Sequence, residues 1–101
     1  MIEIRRYTDG IKIEGHAHYA PHDQDIVCAA ISTLAQTLIQ SIEDLTTDTI
    51  EYAIQSGIIE IKHRNLSEAS RLLIDSFFVG CSMTAEAYPD NVQIRPGVER
   101  R

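Results

Sequence analysis

The sequence predicts an α+β fold in which an antiparallel or mixed sheet is covered by two helices, in the order ββαββα. Three observations carry this expectation: two pairs of short segments with alternating apolar residues, two longer segments whose apolar residues recur every three or four positions, and turn chemistry between them. A hairpin and an amphipathic helix each have one face to bury, and laying the helices on the sheet satisfies both.

Ile2, Ile4 and Arg6 alternate with Glu3, Arg5 and Tyr7. Thr8, Asp9 and Gly10 then supply a turn, and Ile11 and Ile13 alternate with Lys12 and Glu14, completing an N-terminal hairpin. From Gly15 to Gln24 the alternation stops in a polar loop that holds Pro21 and three of the chain's four histidines. Asp25 precedes a helix over roughly 26–44, in which Val27, Ile31, Leu34, Leu38 and Ile42 form the buried stripe. The period returns to two at Ile50, Tyr52 and Ile54. Ser56 and Gly57 turn, and Ile59, Ile61 and His63 follow in a partner strand, so that a second hairpin buries its apolar side. Ser67 is positioned as the N-cap of a second helix, whose inner face is read from Ala69, Leu72, Leu73, Phe77, Gly80, Met83, Thr84 and Ala87. Pro89 stops that helix, and Val92, Gln93 and Ile94 can add an edge strand before a charged tail.

At 101 residues the chain is read as a single domain, 1–101. It is 44% hydrophobic and 24% charged, the composition of a packed domain rather than a disordered or fibrous one. Its formal charge of −6 disfavours general binding to nucleic acid or anionic membranes and leaves a basic partner open. No apolar run approaches the ~18 residues of a bilayer span and no secretory h-region opens the sequence, so the chain is expected to be cytoplasmic. Cys28 and Cys81 lie in dissimilar contexts without close spacing, which argues against a disulfide framework and against a paired-cysteine zinc site.

The unusual chemistry is concentrated between Gly15 and Ser32. Backbone amides at a helix N-terminus carry partial positive charge and favour an anion, so Cys28 in the first turn is placed as a nucleophile. An imidazole nearby could take the thiol proton and later hand one to a departing amine, and His16 at the end of a strand is the candidate. Amides of the same helical turn could receive an oxyanion. Asp25, three residues before Cys28, and Ser32, four after it, share its helix face. Asp25 also suits an N-cap, and Ser32 also suits a bond back to the carbonyl of Cys28. A different chemistry stays open: His16, His18 and His22, with Cys28 or an aspartate, offer donors for zinc, although no tight ligand pair is present. Cys81, in the middle of the second helix, is read as packing, and Phe77 and Phe78 as core or subunit contact.

Gly15-His16-Ala17 followed by Asp25-Ile26-Val27-Cys28-Ala29-Ala30-Ile31-Ser32 resembles the signature of the ribosomal-processing cysteine protease Prp family. The resemblance extends along the whole chain, through the ββαββα order and Tyr88-Pro89. It implies a homodimeric cysteine endopeptidase without a metal or other cofactor, removing an N-terminal extension from large-subunit ribosomal protein twenty-seven. A phage-type member would instead process a capsid or scaffold protein. By position, Cys28 matches the family nucleophile and His16 its histidine, with Asp25 and Ser32 at the supporting positions. Ala17, His18, Tyr19, His22 and Asp23 fall in the substrate loop. The family commonly has glycine where this chain has His18 and Asp23, and both replacements add bulk and polarity to that loop. A non-catalytic assembly factor that binds a ribosomal or virion protein through the same surface is the alternative from a different class.

Overall fold

The computed structural model describes residues 1–18, 20–21 and 25–96. Tyr19, His22 and Asp23, together with Gln24 and residues 97–101, lie outside the described residues. The elements run β1 (Ile2–Tyr7), β2 (Gly10–Glu14), α1 (Ile26–Leu45), β3 (Glu51–Gln55), β4 (Ile58–Lys62), α2 (Glu68–Ala87) and β5 (Val92–Pro96). They form a mixed five-stranded sheet in the order β3-β4-β2-β1-β5, antiparallel throughout except where β5 runs parallel to β1. The fold is therefore the α+β arrangement expected, with the final strand present at an edge.

The alternation of each inner strand becomes two chemically distinct faces. Ile2, Ile4, Ile11, Ile13, Ile59 and Ile61 are buried in one cluster with the helices. The opposite face is polar, crossed by ion pairs Arg5–Glu3, Arg95–Glu3, Lys12–Glu14 and Lys62–Glu60. Helix α1 contributes Val27, Ile31, Ala35, Leu38, Ile39 and Ile42 to the core. By length and composition α1 could cross a membrane, contrary to the expectation that no segment approaches that size. Its apolar stripe nevertheless packs into the core, the behaviour of a core helix. Where α1 meets α2, Leu34 lies so close to Gly80 that a Cβ there would stand 2.8 Å from its Cδ2.

Two expected faces are corrected. In α2 the buried residues are Ser70, Ile74, Phe77, Phe78 and Cys81, whereas Leu72 and Met83 are exposed. The helix is apolar on several sides, and the polar Ser70 disguises its inner face. Ser70 is tolerated at 0% exposure because its hydroxyl bonds to Asp48 and Thr46. In the second hairpin, Tyr52 and Ile54 pair with Ile61 and Ile59 and so share the core-side face, but both are 47% exposed. β3 is the outermost strand on that side and extends beyond the cover of the helices.

The turn joining α1 to the second hairpin also fastens the start of α2. Thr46 Oγ1 donates to the Ile42 carbonyl at 2.7 Å, and Asp48 accepts from the Ser67 amide at 3.0 Å and from its hydroxyl at 2.5 Å. These bonds, with one from Ser70, hold the Asp48 carboxyl below the usual carboxylate range, the Ser67 hydroxyl contributing most.

Candidate active site

The Gly15–Ala17 segment leaves β2 and is pinned residue by residue from separate elements. The Gly15 amide donates to the Gly57 carbonyl at 2.9 Å, the Met1 nitrogen to the His16 carbonyl at 2.6 Å, and Asn91 Nδ2 to the Ala17 carbonyl at 2.8 Å. The Ala17 amide in turn donates to Cys28 Sγ at 3.3 Å. The residue following His16 therefore touches the sulfur directly, eleven positions ahead of it in the chain. Ala17 is itself buried, so this junction belongs to the core.

Cys28 comes to this point because Asp25 caps the start of α1. The Asp25 carboxylate accepts from the amides of Val27 at 3.0 Å and Cys28 at 2.9 Å, satisfying two donors that the helix leaves without partners. Asp25 is buried, which makes those bonds harder to replace with water. The cap fixes the first turn, and with it the position of the sulfur. Cys28 is half-buried and Ser32, one turn later, accepts from Gln36 Nε2 at 2.9 Å.

A cleft of roughly 470 Å³ collects His16, Asp25, Cys28 and Ser32 from two separate stretches of chain. Its remaining walls come from the start of α1, including Ile26, and from the second hairpin, including Ile54 and Gly57. His18 lies on the exposed side with φ of 56°, the left-handed region, and its ring centroid is 6.1 Å from that of His16. His18, where the resemblance leads one to expect glycine, thus has a backbone conformation that suits glycine. Ala17 and His18 are the described members of the predicted substrate loop. Tyr19, His22 and Asp23 are not described, so neither their contacts nor the His22 contribution to a zinc set is. Among the described residues no cluster of three or more His, Cys, Asp or Glu side chains is arranged to hold a metal ion.

Two residues that shape the site were not singled out from the sequence as such. Gly57 sits in the turn after β3 with φ of 77°, and a Cβ on it would lie 3.0 Å from His16 Nε2. Asn91 lies 74 positions beyond Ala17. Neither contact has a local sequence signal, because each joins parts of the chain that only the finished sheet brings together.

Cys81 shares nothing with this environment. It is completely buried, and burial pushes its thiol up to about 12, so it stays protonated at neutral pH. Packing is its role.

The family model for cysteine protease Prp matches residues 1–93. Among solved structures, the chain is similar to the essential ribosomal processing protease Prp of S. aureus in complex with a covalently linked product peptide. That pair has a TM-score of 0.91 at 20% identity, over 96% of this chain and 100% of the other. The same S. aureus protease with a substrate peptide gives 0.85 at 19% identity, with coverage of 96% and 100%. A Streptococcus mutans protein gives 0.77 at 26% identity, covering 98% of this chain and 93% of its own. No curated protein matches. With a match that runs from β1 through α2 and takes in the cleft, the chain belongs to the cysteine protease Prp family and is a cysteine-type peptidase.

Proposed function

We propose that this peptidase is an endopeptidase that removes the N-terminal extension of large-subunit ribosomal protein twenty-seven, through Cys28 as nucleophile and His16 as general base and acid. The single observation that carries this reading is the common cleft of His16 and Cys28, with the Ala17 amide bonded to the sulfur. Similarity to the ribosomal processing protease of S. aureus supports the choice of substrate.

In the proposed reaction His16 takes the thiol proton and the sulfur attacks the scissile carbonyl carbon, forming a C–S bond. As the tetrahedral intermediate collapses, the C–N bond breaks and His16 protonates the departing amine. Water then attacks the thioester, releasing the second product and restoring the thiol. Asp25, bonded to the Val27 and Cys28 amides, holds the nucleophile's turn in place. Ser32 supports the same face. Ala17, His18, Tyr19, His22 and Asp23 belong to the segment that meets substrate.

The whole chain, 1–101, acts on this reading as one Prp-like domain, cytoplasmic and without a cofactor. It is a homodimer, supported by the exposed apolar row Leu72, Val79 and Met83 on α2. Its net charge of −6 favours a basic polypeptide substrate over nucleic acid or membrane. The test is processing of the extended ribosomal protein by native protein, Cys28→Ala and His16→Ala. Cys28→Ala is expected to abolish cleavage, and His16→Ala to slow it at least ~100-fold. Cleavage by Cys28→Ala at the native rate would falsify the assignment.

A further inference from the structure

The two edges of the sheet are built differently. β5 ends in Arg95 and Pro96, and charge and proline are the usual guards against an added strand. β3, Glu-Tyr-Ala-Ile-Gln, has no proline, no lysine and no pairing partner on its outer side among the described residues. All five of its residues are exposed.

The register says which backbone groups that bare edge presents. Gln55 and Ile58 flank the two-residue turn Ser56-Gly57 and form its closing pair, so the Glu51, Ala53 and Gln55 backbones bond inward to β4. Tyr52 and Ile54 then point their N–H and C=O groups outward. The rest of the sheet obeys the same alternation. The next ladder is formed by odd-numbered residues, continued by the Gly15 amide on the Gly57 carbonyl, and the ladder beyond it closes at Tyr7 and Gly10.

The side chains of Tyr52 and Ile54 lie on the core-side face, and Ile54 is also a wall of the cleft that holds Cys28. Ile26, 55% exposed at the start of α1, lines the same cleft. The strand with the bare edge thus contributes Ile54 to the lining of the cleft that holds Cys28.

We infer that substrate binds by strand addition: an extended peptide pairs with β3 through the N–H and C=O groups of Tyr52 and Ile54, and the scissile bond passes over Cys28. Alternate side chains of the peptide then turn toward Ile54 and Ile26, so the segment accepted is extended, with apolar residues at alternate positions near the cut. Backbone pairing supplies register and the isoleucines supply selectivity. This rests on the protease reading of the cleft.

The experiment uses Cys28→Ser and residue-resolved amide hydrogen exchange, with and without peptide. The probe is a peptide that native protein cuts, taken from synthetic peptides tiling the N-terminal extension of ribosomal protein twenty-seven from the same genome. Binding is expected to slow exchange at Tyr52 and Ile54 at least ~10-fold and to leave Ala53, already bonded to β4, unchanged. N-methylation of the peptide nitrogens that pair with β3 is expected to raise KM about tenfold, whereas methylation at the intervening positions does not. Binding and cleavage without protection at Tyr52 and Ile54 overturn the inference and leave the protease reading intact. Concentration-dependent protection in the free protein, unaltered by peptide, assigns the edge to a second copy of the chain and also overturns it. If native protein cuts none of the peptides, the ribosomal reading falls and this inference with it.

Discussion

Replacing Gly57 by alanine tests whether the turn after β3 holds the imidazole of His16. Two effects are expected and they separate. The backbone at φ of 77° disfavours an L side chain by roughly 1–2 kcal/mol, and each kcal/mol lowers Tm by roughly 4–8 °C in a domain of this size. The new Cβ would also sit 3.0 Å from His16 Nε2, so the ring must yield by a few tenths of an ångström. Since misplacement by about 1 Å can cost ~100-fold, a fall in kcat of roughly threefold to tenfold is expected, with KM changing less. Gly57→Asn carries a Cβ as well but tolerates the left-handed region, so it should recover much of the stability and little of the rate. Thermal melts and single-turnover cleavage of one peptide measure the pair. Native kcat in Gly57→Ala, or recovery of rate together with stability in Gly57→Asn, would refute the contact as the cause.

Other consequences are equally direct. Iodoacetamide at neutral pH should label Cys28 and leave Cys81 unmodified until the protein unfolds, because Cys81 is buried with its thiol pushed up to about 12; mass mapping of the folded protein reads this. Asp25→Ala removes the acceptor for two amides and should cost about 1–2 kcal/mol in denaturant unfolding, with Asp25→Asn losing less because it can still cap. The Asp48 carboxyl is held below its ordinary range by Ser67 and Ser70. Its contribution is therefore present above the ordinary carboxylate range and lost as pH falls through the folded value; Asp48→Asn should flatten the acid limb of a Tm-against-pH curve.

What could be read from the sequence was what depends on neighbours along the chain. Asp25 was legible as a cap because the cap bond spans three residues, and Pro89 ended α2 for an equally local reason. The first hairpin alternates cleanly because one face is fully covered. Tyr52 and Ile54 alternate just as cleanly yet stay exposed, since alternation gives a face and not whether anything lies above it. The inner face of α2 was misplaced because Ser70 looks like a surface residue until Asp48 and Thr46 are brought to it. At the site, His16, Cys28, Asp25 and Ser32 were read together and do share one cleft. Gly57 and Asn91 were not, since their contacts with His16 and Ala17 exist only after distant segments have joined the sheet.

The most direct measurement is acid quenching of a single turnover, followed by intact mass analysis and peptide mapping. If Cys28 opens the amide, the N-terminal fragment of the substrate will be found as a thioester on Cys28 during turnover and will be absent from Cys28→Ser. Cleavage that proceeds with no acyl group on Cys28, or with the acyl group on another residue, would contradict the assignment.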